Sequence, residues 1–328
     1  MFTKDSRRGD KFKKSAQHFN VIDKDRDRDI NREPINRKLN KQIARETFEI
    51  LENQFYVYSS DNDNDNEEII VKISLNDSLG ETFTPQDLNL LCKKDKKEIA
   101  VEAAETEAEV EKKAEKEVEK LETEFTIIQT TIVDAIHKSY VNESRLAVLN
   151  FASAKNPGGG FLKGSDAQEE SLARASGLYY TIKDSPMYSA NEKDNRKCLY
   201  QEYLIYSSNV PVFRDLEDQL IKNPIYVDII SVPAVNEKEA FKKDVSKSLI
   251  DQTRFNRINN FLAVLKSKNI KHVILGAWGC GVFGGDFTDL ASDYYSLLIE
   301  GHYKNVFERV IFAVLNEKDA STLEDYFN

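Results

Sequence analysis

Residues 149–181 read LNFASAKNPGGGFLKGSDAQEESLARASGLYYT. Just before them, Arg145-Leu-Ala-Val-Leu-Asn-Phe151 is a short apolar run, which predicts a buried strand. Asn156-Pro157 stops that strand, and Gly158-Gly159-Gly160 follow. Three glycines in a row suit a backbone that bends sharply or lies against something that leaves no room for a Cβ. Gln168-Glu169-Glu170 come next, and Leu172, Ala175, Tyr179 and Ile182 then share a helical face. A strand, a glycine loop and a helix that opens on two carboxylates place a site at the carboxyl end of a strand. Open α/β sheets bind their ligands there.

A second segment repeats the arrangement. Leu275-Gly-Ala-Trp-Gly-Cys-Gly-Val-Phe-Gly-Gly-Asp286 follows the apolar run His272-Val-Ile-Leu275. Around both loops, strand-like runs (Leu146–Phe151, Tyr203–Tyr206, Ile225–Val232, Val273–Leu275, Val310–Leu315) alternate with helical patterns (Gln168–Ile182, Ser248–Leu265, Phe287–Glu300). Near-continuous Val, Ile and Leu in the strands predict an α/β sheet buried on both faces.

Charge divides the rest of the chain. The 328 residues carry a formal net charge of −10, with 40% hydrophobic and 31% charged residues. Residues 1–41 hold 13 Lys and Arg against 7 Asp and Glu, a net of +6, which leaves −16 for the remainder. Residues 1–33 are expected to be a charged flexible tail. Residues 34–92 are expected to supply a helix near Pro34, with Leu39, Ile43, Ala44, Phe48 and Leu51 on one face, and the β-like runs Phe55–Tyr58 and Ile69–Ile73. Asp61–Asn66 between these runs lacks the glycine and terminal glutamate of an EF-hand loop. In residues 93–124, 20 of 32 are charged, with no Pro or Gly, which predicts an exposed helical insertion. Residues 125–328 form the expected catalytic core.

The overall acidity argues against direct nucleic-acid binding through phosphate neutralisation. It leaves room for a small anionic ligand held by backbone N–H groups. Cys92, Cys198 and Cys280 are odd in number and widely spaced, so a reducing, intracellular setting in cytoplasm or nucleus is expected. No apolar run reaches the roughly 20 residues of a membrane span, and the N-terminus has no secretory h-region. His18, His137, His272 and His302 share no metal-ligand spacing with the cysteines, so neither a metal nor a cofactor is expected. Neither glycine loop has the G-x-G-x-x-G order of a dinucleotide fold.

Gly-Gly-Gly, seven residues and Gln-Glu-Glu resembles the signature of poly(ADP-ribose) glycohydrolases, macrodomain enzymes that cut the ribose–ribose bonds of poly(ADP-ribose). The 275–286 segment resembles that family's diphosphate-binding loop. Ala44-Arg-Glu-Thr47, Val210-Pro-Val-Phe-Arg-Asp215 and Val232-Pro-Ala-Val-Asn236 resemble its microbial-type branch. The resemblance runs from about Asn36 to the C-terminus, apart from the charged insertion. It implies a three-layer α/β/α macrodomain with a mixed, mostly buried sheet and an N-terminal helical extension.

It also implies roles. Cleaving a glycosidic bond passes through an oxocarbenium-like state, and the leaving oxygen needs a proton. A carboxylic acid whose pKa is raised by burial or by a second carboxylate provides it best. Adjacent helical residues point about 100° apart, so Glu169 and Glu170 are expected to do different jobs. By the resemblance, Glu170 is the acid and later the base, Glu169 holds ribose hydroxyls, and Gln168 positions. Gly158, Gly159 and Gly160 let the loop wrap the ribose, and Asn156 bonds a ribose hydroxyl or caps the turn. Gly279, Gly281, Val282, Phe283 and Gly284 form the phosphate loop, with Phe283 against the terminal ribose. Cys280 reads as a buried small hydrophobe rather than a nucleophile. The expected partners are ADP-ribose, poly(ADP-ribose) and ADP-ribosylated proteins, and the expected state is a monomer. Two other readings share the pocket: a non-catalytic ADP-ribose-binding macrodomain, which needs phosphate loops but no acid, and a mono-ADP-ribosyl hydrolase.

Overall fold

A computed structural model describes residues 36–59, 68–94, 122–141 and 144–327. The tail 1–33, the Asp61–Asn66 loop, His18 and nearly all of the charged insertion lie outside the described residues.

The chain runs α1 (Arg37–Asn53), β1 (Phe55–Ser59), β2 (Glu68–Lys72) and β3 (Gly80–Phe83), then a helix α2 over residues 85–94. After the insertion come β4 (Glu124–Gln129), α3 (Ile132–Ser139), β5 (Leu146–Asn150), α4 (Gln168–Ala175), α5 (Leu178–Ile182) and α6 (Pro186–Glu192). The last part is β6 (Leu204–Arg214), β7 (Leu220–Ser231), α7 (Glu237–Phe241), α8 (Lys247–Ser267), β8 (His272–Gly276), α9 (Phe287–Leu298), β9 (Arg309–Val314) and α10 (Glu317–Phe327).

Seven strands form one mixed sheet in the order β3-β6-β7-β5-β8-β9-β4. The five strands from β7 to β4 are parallel, and β6 is antiparallel to both its neighbours. Side-chain alternation divides the core between the two faces. Ala147, Leu149, Val273, Leu275, Val310 and Phe312 pack under α8, α9 and α10. Leu146, Val148, Ile274 and Ile311 pack under α3, α4 and α5. This is the three-layer α/β/α arrangement, and β3 ties the N-terminal segment into the same sheet.

The N-terminal helix braces the first glycine loop. Ala44 and Phe48 pack on Phe161 and Tyr179. Thr47 Oγ1 donates to the Arg174 carbonyl at 2.7 Å, and Glu46 pairs with Arg214 at 2.7 Å. Ala44-Arg-Glu-Thr47 and Val210–Asp215 are therefore joined, through the Glu46–Arg214 pair.

The structure departs from the sequence pattern in three places. The single helix expected over Gln168–Ile182 is two, because Ser176 turns extended and bridges Val212 of β6. Gly177 N–H donates to the Pro211 carbonyl at 2.8 Å, and this sheet-edge bond replaces the next helical turn. The strand expected over Tyr203–Tyr206 continues to Arg214. Pro211 is tolerated there because β3 covers only Leu204–Ser207 of β6, and the Ser176–Gly177 bridge beyond it uses the Pro211 carbonyl and asks for no N–H. β3, β4, α3 and α10 carry too few residues for periodicity to mark them.

Candidate active site

The parallel strands β5, β8, β9 and β4 end on the same side, and their following loops enclose a cleft of about 740 Å³. Phe151 and Ser153 line it after β5, Ala277 and Gly281 after β8, Leu315 and Asn316 after β9, and Thr130 and Thr131 after β4. The volume falls within the range of small-ligand sites.

Of the twelve residues singled out in the sequence, ten line this cleft: Asn156, Gly159, Gly160, Gln168, Glu169, Glu170, Gly279, Gly281, Val282 and Phe283. Gly158 and Gly284 do not. A Cβ on Gly158 would meet the Phe161 ring, and one on Gly284 would meet Lys238.

The β5 end is a web between loop backbone and helix side chains. Gln168 locks α4 to the strand: its Oε1 accepts from Phe151 N–H at 2.8 Å, and its Nε2 donates to the Leu149 carbonyl at 2.9 Å. Glu169 is 3% exposed. Its carboxyl accepts from Ser153 N–H at 2.7 Å and from the Asn150 amide at 3.4 Å. Glu170 is half-buried and accepts from Gly160 N–H at 2.9 Å and from Ala167 N–H, one turn back, at 3.2 Å. The two glutamates thus have different partners, yet both reach Gly159. Gly159 is left-handed (φ 61°), and a Cβ there would lie 2.5 Å from Glu170 Oε1 and 3.1 Å from Glu169 Oε2. No other residue fits between the carboxyls.

Burial pushes the Glu169 carboxyl up to about 8, and the Glu170 charge pushes the same way. The Ser153 N–H and the Asn150 amide oppose this only in part. Burial thus favours the protonated form of Glu169, the carboxyl expected to hold ribose hydroxyls.

The second loop is built differently. Trp278 is buried and donates Nε1–H to the Val232 carbonyl at 2.8 Å, which fixes the loop to the sheet. Gly279 is left-handed (φ 80°), and Gly285 N–H closes the loop on its carbonyl at 3.1 Å. Gly281 lines the cleft, and a Cβ there would meet nothing within 4 Å. Asp286 caps α9 through Thr288 and Asp289 N–H. Val282 is 86% exposed at the rim, and Phe283 leans on the core with Tyr200 at a ring distance of 6.5 Å. Phe151 and Phe283 are the cleft's aromatic rings among the described residues. Lys163 is its one cationic side chain among those residues, so an anion there must rely on backbone N–H groups.

Cys280 lines the cleft, but burial pushes its thiol up to about 12, which is unsuited to a nucleophile at neutral pH. His137, His272 and His302 sit apart, bonded respectively to the Arg214 carbonyl, Ser144 and Asn259. Among the described residues no group of three metal-ligating side chains gathers, and no helix is long and apolar enough to cross a membrane.

The sequence did not point to Asn150 or Ser153, which hold Glu169. Nor did it point to Thr130, Thr131, Leu315 and Asn316, which reach the far end only through the sheet order. No local signal marks them.

Comparison with known proteins agrees with this geometry. The family model of the microbial-type poly(ADP-ribose) glycohydrolase catalytic domain matches residues 44–215, which include the first loop and both glutamates. Poly(ADP-ribose) glycohydrolase from Thermomonospora curvata is 30% identical, with a TM-score of 0.72 over 88% of this chain and 100% of that one. The same enzyme bound to the inhibitor ADP-HPD gives 29% and 0.71 over the same shares. The Deinococcus radiodurans enzyme in complex with ADP-ribose is 32% identical, with a TM-score of 0.64 over 75% of this chain and 93% of that one. No curated protein matches significantly. Two glycine loops at the carboxyl ends of neighbouring strands, the paired carboxyls at Gly159 and these likenesses have one explanation: the chain belongs to the microbial-type poly(ADP-ribose) glycohydrolase family.

Proposed function

We propose that this chain hydrolyses the ribose–ribose O-glycosidic bonds of poly(ADP-ribose) and releases ADP-ribose, with Glu170 as general acid and base. The observation that carries the reading is the convergence of Glu169 and Glu170 on Gly159, at the strand end of a cleft whose other loop is free of side chains where an anion would approach. Glu170 is the more accessible carboxyl, and Gly160 and Ala167 N–H fix its direction. Substrate seated over Glu170 removes water from it and favours its protonated form; in the first step that proton passes to the leaving 2′-oxygen as the C1″–O bond breaks. In the second, its carboxylate takes a proton from the water that attacks C1″. Glu169, buried and protonated, offers both a donor and an acceptor to ribose hydroxyls and adds no second negative charge beside the acid.

The diphosphate lies on the backbone of Gly279–Gly284, and Phe283 packs on the terminal ribose. The substrate is the polymer on ADP-ribosylated proteins, and the chain acts as a monomer in the reducing cytoplasm or nucleus, in keeping with its three free cysteines. The alternative of a pure ADP-ribose reader leaves the locked acid at Gly160 without a purpose. Incubation with poly(ADP-ribose) and chromatography of the products tests the reading. ADP-ribose should accumulate; an intact polymer would refute it.

A further inference from the structure

A second concavity, of about 230 Å³, adjoins the cleft beside Asn156 of the β5 loop and Phe283 of the second glycine loop. Its wall carries Lys155, Lys197 and Lys243. Asp194 is the acidic residue there, and it is already paired with Arg196 at 3.0 Å. Among the described residues neither Lys155 nor Lys197 has a carboxylate partner, and Lys243 Nζ meets only Cys198 Sγ, at 3.0 Å. Three lysines in one depression, with Glu239 acting only on Lys243, are unexpected in a chain of net charge −10.

The floor of the pocket is held in an uncommon shape. Lys197, Cys198 and Tyr200 all have left-handed φ (52°, 71° and 61°). Non-glycine residues adopt that conformation at a cost, and such residues cluster at functional sites. The fully buried Arg257 fixes them by donating to the Tyr200 carbonyl at 3.0 Å and to the Leu199 carbonyl. Asn236 N–H reaches the Cys198 carbonyl at 3.2 Å.

Sheet order locates the pocket along the substrate path. The cleft runs from β5 across β8 to β9 and β4, so its acid lies at one end, on β5. The pocket is built from the β5 loop, the segment before β6 and the segment after α7, all on the β7 and β6 side. The two share a wall. Lys155 adjoins Asn156 of the cleft, Ser153 Oγ accepts from both their N–H groups, and Tyr200 packs on Phe283. The pocket is thus the next concave surface beyond Asn156 and Phe283.

Resting on the function proposed above, we infer that this basic pocket binds the diphosphate of the ADP-ribose unit on the leaving side of the scissile bond. The test uses the full chain carrying Lys197→Gln with Lys243→Gln, neither of which lines the cleft. The KM for poly(ADP-ribose) should rise about three- to tenfold with kcat little changed, as expected for two exposed charge contacts. ADP-ribose affinity by calorimetry should stay at the wild-type value. The dependence of log KM on log salt should lose about one unit of slope per lysine. The Lys→Arg pair should keep the wild-type KM, which separates charge from any folding defect. An unchanged polymer KM and salt slope in the Gln pair, with the wild type still cutting polymer, would overturn the pocket and leave the function standing. A wild type that does not cut polymer would overturn both. Equal competition by a single-stranded RNA of matched charge would make the pocket a general polyanion site and overturn the assignment.

Discussion

The two glycine loops occupy equivalent places, each after a central parallel strand, yet their glycines answer to different neighbours. At Gly159 the protein itself forbids a side chain, because two carboxyl oxygens already fill the place of a Cβ. At Gly281 the protein leaves that place empty. A glycine that nothing in its own chain requires points to a ligand that needs the backbone bare. One loop builds the chemistry, and the other waits for its substrate.

Replacement by alanine should break this symmetry. Gly159→Ala places a Cβ against both carboxyls in a left-handed conformation, which costs about 1–2 kcal/mol in backbone strain alone. Its turnover should fall at least about 100-fold, since a displacement of about 1 Å in a catalytic group has that effect. Steady-state hydrolysis and a melting curve would both register the change. An active, equally stable Gly159→Ala would remove the distinction between the loops.

Glu169→Gln sharpens the first loop through pH. The folded carboxyl, at about 8, lies above its ordinary value of 4.5. The native state therefore holds the proton more tightly than the unfolded state between those values, and wild-type stability declines as pH rises from about 4.5 to 8. Glutamine has no such proton. The variant's unfolding free energy should gain on the wild type across that window, by on the order of 4 kcal/mol. Parallel urea titrations at pH 5 and pH 8 would measure it, and a constant difference would show that Glu169 is not held protonated.

Gly281→Ala is the mildest change. The variant should fold and melt like the wild type, since its Cβ meets nothing. ADP-ribose affinity should fall about tenfold, or about 1.4 kcal/mol. Undiminished affinity by calorimetry would mean that the ligand does not approach this backbone.

The same contrast explains what could be read from the sequence. Gln168-Glu169-Glu170 and the two glycine runs were legible because each is a contiguous segment with its own chemistry. The alternation of apolar strands with helices carried the three-layer sheet. Asn150 and Ser153 were not legible: Ser153 acts through its N–H, which every residue but proline has, and Asn150 reads as one more residue of a strand. Thr131 and Leu315 reach the cleft only because β4 and β9 lie side by side, a pairing between residues far apart in the chain. The break between α4 and α5 depends on an edge of β6 that the helix itself does not encode. The protonation of Glu169 comes from burial, which appears only when the layers close.

The most direct test of the account is Glu170→Gln, assayed for turnover of poly(ADP-ribose) and for ADP-ribose affinity in the same preparation. The glutamine keeps the side chain's shape and one of its two accepting oxygens, which meet Gly160 and Ala167 N–H in the wild type, but has no proton to transfer. General acid catalysis contributes about 10²–10⁴-fold, so turnover should fall at least about 100-fold while affinity stays near the wild-type value. Turnover close to wild type would contradict the role of Glu170 and with it the mechanism.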